Sequence, residues 1–130
     1  MGKSEAFVLY LQQEKKNCES REHALIADER KDEANLCKIE ANIYDIFETL
    51  YLEAYHRAAQ SKEDQGAANE KAESVFLAKA EAVPQNWRIS YEKAKVHQDA
   101  PKLLIEETKL NAAARIMEEY RRLMEEGKGE

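Results

Sequence analysis

The chain contains neither glycine nor proline between Lys3 and Gln65. In the whole sequence, glycine occurs only at positions 2, 66, 127 and 129, and proline only at 84 and 101. Turns therefore have few places to form, which argues against a sheet of many strands and favours long helices. We predict an all-α fold, an antiparallel helical bundle of four to five helices that occupies residues 1–130 as a single domain.

Capping residues and the two prolines place the helix ends. Ser4 can cap a first helix, and Gly66 can supply a left-handed residue in the main turn. Val83 precedes a proline, which pushes it out of the helical region and ends a third helix, whereas Pro101 is tolerated in a first turn. The predicted helices are 4–26, 28–60, 67–83, 85–98 and 101–126.

The first two helices allow two interpretations. A tight turn near Ala27 with Asp28 as the next cap gives an antiparallel hairpin. Without a break, one helix runs from Ser4 to about Gln60, and it is about 85 Å long at 1.5 Å per residue. A helix of that length without caps is typical of a coiled coil or of a protein that spans several partners. We favour the break, because a domain of this size cannot cover so long a helix.

The segment from Leu36 to Ala58 has an apolar face that covers about half of the helix circumference. A face this wide must contact at least two neighbouring helices, so we predict that this helix is central and that the last helix packs on it. Its aromatic side is a candidate interaction face: Tyr44, Phe47, Tyr51 and Tyr55. Either these side chains form the internal core, or they form a groove for self-association or for a partner.

Composition and charge disfavour several classes of protein. The net charge is −6 with 35% charged residues, and no basic cluster is free of flanking glutamates, so we expect no nucleic-acid binding. No apolar segment is long enough to cross a bilayer, and the first residues do not form a signal segment. Cys18 and Cys37 lack metal-site spacing, and reduced thiols are typical of a cytoplasmic protein. We therefore predict a cytoplasmic protein that does not bind membranes.

One motif contains residue types that can bind a metal ion. Glu53 and His56 form an ExxH pair, the spacing that places a carboxylate and an imidazole on one helix face in two-metal bundles. Such a site needs a second ExxH, and neither His23 nor His97 has a glutamate three residues earlier. No phosphate-binding loop, dinucleotide turn, nucleophile elbow or zinc spacing is present, which disfavours an enzyme. We assign no catalytic, cofactor-binding or metal-binding residue.

These patterns favour a small cytoplasmic interaction protein, such as an adaptor, regulator or assembly factor, that acts by helix-on-helix recognition. The alternative is a metal- or ligand-binding bundle, or an enzyme, that uses Glu53 and His56. The central and last helices each present an apolar arc wider than one antiparallel pair can cover. We therefore predict a homodimer, because large exposed apolar patches are uncommon on monomers.

Overall fold

The computed structural model of this protein describes residues 2–126. Within them the chain forms four α-helices and no strand: α1 (Lys3–Ala27), α2 (Lys31–Ala59), α3 (Gln65–Val96) and α4 (Ala100–Glu126). The helices alternate in direction, and α2 and α4 each contact the other three. The predicted all-α antiparallel bundle is confirmed, and so is the packing of the last helix on the central one. No helix within residues 2–126 combines the length and hydrophobicity needed to cross a bilayer.

The break between the first two helices lies at residues 28–30, so they form a hairpin. Asp28 does not cap α2 as predicted: its backbone N–H donates to the Ala24 carbonyl and closes α1. Glu29 then adopts a left-handed conformation with φ of 60°, which turns the chain back, and Arg30 precedes α2. A similar left-handed residue, Gln98 with φ of 54°, lies between α3 and α4.

The predicted division of residues 67–83 and 85–98 into two helices is wrong, because α3 continues through Pro84. Proline removes one helical hydrogen bond and strains the preceding turn, at a cost of about 3 kcal/mol. Packing on both sides of the proline offsets that cost. Phe76, Ala80 and Pro84 are buried on one face, and Ala94 is buried on the same face beyond the proline. Burial of this continuous face therefore overrides the local preference for a break.

Two predicted caps are also corrected. The residue before α1 is Gly2, and Ser4 lies inside the first turn, where its hydroxyl hydrogen bonds to the Tyr51 hydroxyl at 2.6 Å. Gly66 lies in the first turn of α3 and has no positive φ, and Asp64 caps this helix by accepting from the Ala67 N–H at 3.3 Å. Pro101 does lie in the first turn of α4, as predicted.

Four aromatic rings, one from each helix, form the centre of the core. Phe7 of α1 contacts the rings of Tyr51, Phe76 and Tyr120, with centroids 5.0, 5.8 and 5.2 Å away. All four side chains are at most 3% exposed. Aromatic pairs in such edge-to-face arrangements contribute about 0.5–1.5 kcal/mol each beyond the burial of their area. This cluster fixes how the four helices pack together.

Candidate interaction surfaces

The aromatic stripe of α2 lies in the core of the folded chain. Tyr44, Phe47 and Tyr51 are at most 2% exposed, and Tyr55 is half-buried with its ring 4.6 Å from that of Tyr51. Burial raises the pKa values of Tyr44 and Tyr55, so both hydroxyls stay protonated. Tyr44, Phe47 and Tyr51 therefore pack inside the chain, in agreement with the first of the two interpretations given for the stripe.

Glu53 and His56 both lie on the exposed side of α2, away from the core. Within residues 2–126, no group of three or more histidine, cysteine, aspartate or glutamate side chains is arranged to hold a metal ion. The pair is thus an isolated motif on the surface of one helix.

A polar network that the sequence did not predict lies between α1, α2 and α4, beside an open groove of about 660 Å³. At its centre is the carboxylate of Glu40, whose side chain is 15% exposed. Cys18 donates to Glu40 Oε2 at 2.9 Å, Arg21 Nη2 lies 2.9 Å from the same oxygen, and Arg115 Nη2 lies 3.2 Å from Oε1. No local sequence signal reveals this network, because its members come from three helices whose register is set only by folding.

The protonation states of the groups in this network make it poorly suited to catalysis, so we interpret the network as structural. Burial raises the pKa of the Cys18 thiol to about 12, and the Glu40 carboxylate adds to this rise, so the thiol is a weak nucleophile at neutral pH. Burial alone would raise the pKa of Glu40, but hydrogen bonds from Cys18 and Arg21 and the charge of Arg115 outweigh it and lower the pKa. A carboxylate with two guanidinium partners is a poor general base.

The end of the bundle that carries the α1–α2 and α3–α4 turns has no large side chain in its core. We call residues 19–39 and 88–111 the turn end; the structure describes all of them, and the only buried residues there are Ala34, Ala94 and Glu106. The large aliphatic side chains in these ranges are all half-buried or exposed: Leu25, Ile26, Leu36, Ile39, Ile89, Val96, Leu103, Leu104, Ile105 and Leu110. Val96 is 78% exposed. The turn end therefore presents apolar surface that this chain does not cover.

The buried carboxylate of Glu106 lies in the same part of the bundle. Its Oε1 is 3.3 Å from Lys109 Nζ, whereas its Oε2 is buried and has no hydrogen-bond partner among the described residues. A buried acceptor without a donor costs about 1–3 kcal/mol, and more when it is charged. The turn end thus contains both uncovered apolar side chains and an unsatisfied polar group.

The two hairpin tips at the turn end carry opposite charge. The first tip, residues 24–33, has four acidic side chains against two basic ones. Its Arg30 forms ion pairs with Asp28 and Glu33 within the tip. The second tip, residues 93–102, has three lysines, Lys93, Lys95 and Lys102, against the single carboxylate of Asp99. One tip is therefore acidic and the other basic, although both belong to an acidic chain.

A separate groove of about 500 Å³ runs along the outer side of α3 and α4. We call it the α3–α4 groove, and its apolar lining consists of Leu77, Ala80, Pro84, Leu110, Ala113, Ala114 and Met117. Its rim carries Glu81, Arg88 and Arg121. Leu77 is 38% exposed, while Ala80 and Ala113 are buried at the bottom.

The two rim arginines have no carboxylate partner among the described residues. Four of the other five arginines form ion pairs within 4.0 Å, and Arg57 on α2 forms none in the described part of the chain: the paired ones are Arg21, Arg30, Arg115 and Arg122. No ion pair or side-chain hydrogen bond involves Arg88 or Arg121 within residues 2–126. Two uncompensated guanidinium groups thus flank an apolar groove on a chain with a net charge of −6.

Comparison with protein-family models, with curated proteins and with solved structures found no significant match to this chain. Its surfaces are therefore the basis for assigning a function.

Proposed function

We propose that this chain is a small, non-enzymatic interaction protein of the cytoplasm that recognises other helices, and that it forms a homodimer through its turn end. The observation that carries the proposal is the uncovered apolar surface of the turn end. Uncovered patches of this kind usually mark an interaction site. A second copy of the chain would cover the exposed side chains of Ile26, Ile89, Val96 and Leu104.

The charges of the two tips support a second copy as the partner. In a two-fold dimer, each surface of one subunit meets the matching surface of the other, so residue i contacts j and j contacts i. When two turn ends meet in this way, the acidic first tip of each subunit lies against the basic second tip of the other. Such complementary charge favours the correct orientation and adds to the rate of association.

Light scattering and sedimentation over a range of protein concentrations test the dimer. We expect a mass that rises from 15.0 kDa towards twice that value, with weaker association at high salt because the tip charges are screened. A mass of 15.0 kDa that does not change with concentration would exclude the homodimer.

Matched variants test the position of the interface. Val96→Ser removes an apolar side chain that is 78% exposed at the turn end, and we expect it to weaken the dimer. Leu52→Ser makes a similar change on α2, where Leu52 is 47% exposed and far from the turn end, and it should leave the dimer intact. If only Leu52→Ser dissociates the dimer, the interface lies elsewhere.

Charge reversal gives a second test that does not depend on apolar burial. Asp32→Lys and Lys95→Glu each place like charges across the proposed interface, so each variant alone should associate less tightly than the original chain. The double variant restores opposite charges and should regain association. Equal loss in the single and double variants would contradict the pairing of the two tips. Circular dichroism of each variant controls for loss of the fold.

A further inference from the structure

We propose that the α3–α4 groove binds an amphipathic helix of another protein, one that has an apolar face flanked by acidic residues. The groove shares Arg88 and Leu110 with the turn end, but the residues on which the dimer is tested, Val96, Asp32 and Lys95, do not line it, so the two proposals can fail separately. The groove extends along α3 from Leu77 to Arg88 and along α4 from Arg121 to Leu110. The eleven residue-to-residue steps between these end positions correspond to about 17 Å, or three helical turns.

The shape of the groove favours a helix as the occupant. Its floor is made of small side chains, Ala80 and Ala113, and the larger side chains of Leu77, Pro84 and Met117 also line it. Small residues between two helices allow a third helix to approach closely. A partner helix that presents apolar residues at i, i+3 or i+4, and i+7 would match a groove of three turns.

The charge of the rim favours an acidic helix. Arg121 lies at one end of the groove beside Leu77, and Arg88 lies at the other end beside Leu110, with Glu81 between them on α3. Neither arginine has an ion pair within the described part of the chain. Guanidinium groups bind carboxylates with two parallel hydrogen bonds, so each arginine can accept one acidic side chain of the partner. Glu81 would repel an acidic residue placed at the middle of the groove, which restricts the partner's carboxylates to the two ends.

The alternative occupant is a second copy of this chain. A symmetric dimer across the groove would place Glu81, Arg88 and Arg121 of one copy near the same three residues of the other. The arginines outnumber the glutamate, so this arrangement leaves an excess of positive charge at the interface. An acidic partner helix balances that charge, and we therefore commit to a partner protein.

Two synthetic peptides provide the test. Both have leucines at i, i+3, i+4 and i+7 over three to four turns; one has glutamates on either side of the apolar face, and the other has lysines at the same positions. Fluorescence anisotropy with the full chain measures their affinities. We expect the glutamate peptide to bind at least about tenfold more tightly than the lysine peptide, which corresponds to about 1.4 kcal/mol.

Variants of the groove locate the binding. Arg88→Glu combined with Arg121→Glu should reverse the preference, so that the lysine peptide binds more tightly. Leu77→Ser should weaken the binding of both peptides. Leu52→Ser changes a leucine of similar exposure on α2 and should leave both affinities unchanged. The proposal is overturned if the glutamate peptide does not saturate by about 1 mM, if both peptides bind equally, or if the arginine variant keeps the original preference. It is also overturned if Leu77→Ser dissociates a homodimer, since the groove is then filled by a second copy.

Discussion

Replacement of Glu40 by glutamine tests the network between α1, α2 and α4. Glutamine keeps the shape of the side chain and an oxygen that can accept from the Cys18 thiol, but it removes the charge that pairs with Arg21 and Arg115. The two arginine side chains are 55% and 50% exposed, so solvent screens both ion pairs. Exposed pairs contribute about 0.2–1 kcal/mol each. We therefore expect Glu40→Gln to lower the free energy of unfolding by about 0.4–2 kcal/mol, the sum for two such pairs, despite the central position of the carboxylate.

The loss of stability in Glu40→Gln should depend on pH, and the direction of this dependence follows from the lowered pKa of Glu40. Because the folded state binds this proton less tightly than the unfolded state, ionised Glu40 stabilises the fold. That contribution is complete above the unfolded pKa of about 4.3 and is lost as the pH falls through the lower pKa of the folded state. Glutamine does not titrate. The difference in the free energy of unfolding between the original chain and Glu40→Gln should therefore become smaller as the pH falls below about 4.

Urea unfolding followed by circular dichroism, at several pH values from neutral to about 4 and below, measures this difference. Glu53→Gln is the matched control, since Glu53 is an exposed glutamate on the same helix and has no ion pair within residues 2–126. It should change stability by less than about 0.5 kcal/mol. A difference for Glu40→Gln that stays constant down to the lowest pH, or an equal loss in the control, would refute the role of the ionised carboxylate.

Three further outcomes are expected. Phe76→Ala should destabilise the chain by about 3–5 kcal/mol in urea unfolding, since it empties the position where rings from all four helices meet; a loss below about 1 kcal/mol would contradict that packing. Cys18 is 0% exposed, so a thiol reagent should modify Cys37 in the native protein and reach Cys18 only after denaturation, as mass spectrometry can verify. Ser4→Ala should lower stability by about 0.5–1.5 kcal/mol through loss of its hydrogen bond to Tyr51, and should do so much less in a Tyr51→Phe background.

Periodicity in the sequence identifies which side chains of α2 point inward, and it does so for Tyr44, Phe47 and Tyr51. It does not identify what covers them. Half of a helix circumference can be buried by other helices of the same chain or by another subunit, because both present the same kind of surface. In the structure, Tyr51 packs against Phe7, Phe76 and Tyr120, and Tyr44 packs against Tyr10. The alignment of these rings with α2 depends on helix register.

The sequence rules for helix ends gave the correct result where no contact with another helix opposed the local preference. Pro101 lies in a first turn as predicted. At Pro84 and Ser4, contacts with other helices outweigh the local preference: burial of the continuous α3 face keeps the helix intact, and the Ser4 hydroxyl pairs with Tyr51 instead of capping. Local energies of about 1–3 kcal/mol are easily exceeded by burial of several side chains.

The surfaces proposed for binding were the least predictable part of the molecule. Leu77, Arg88, Met117 and Arg121 form one groove only because α3 and α4 are antiparallel at a particular register. In the sequence, these residues are ordinary members of two amphipathic patterns. The absence of ion pairs at Arg88 and Arg121 is likewise a property of their three-dimensional neighbours, and no charge pattern along the chain reveals it.

The position of the large buried side chains also determines how amide hydrogens exchange with solvent. Backbone amides between Phe7 and Cys18, and the helical turns packed on them, should open only when the whole chain unfolds. Amides near Arg30 and Gln98 lie where only alanines and Glu106 are buried, so local opening should release them much sooner. In the proposed dimer, exchange of the same amides should slow selectively, because the second subunit would have to dissociate before the hairpin tips could open.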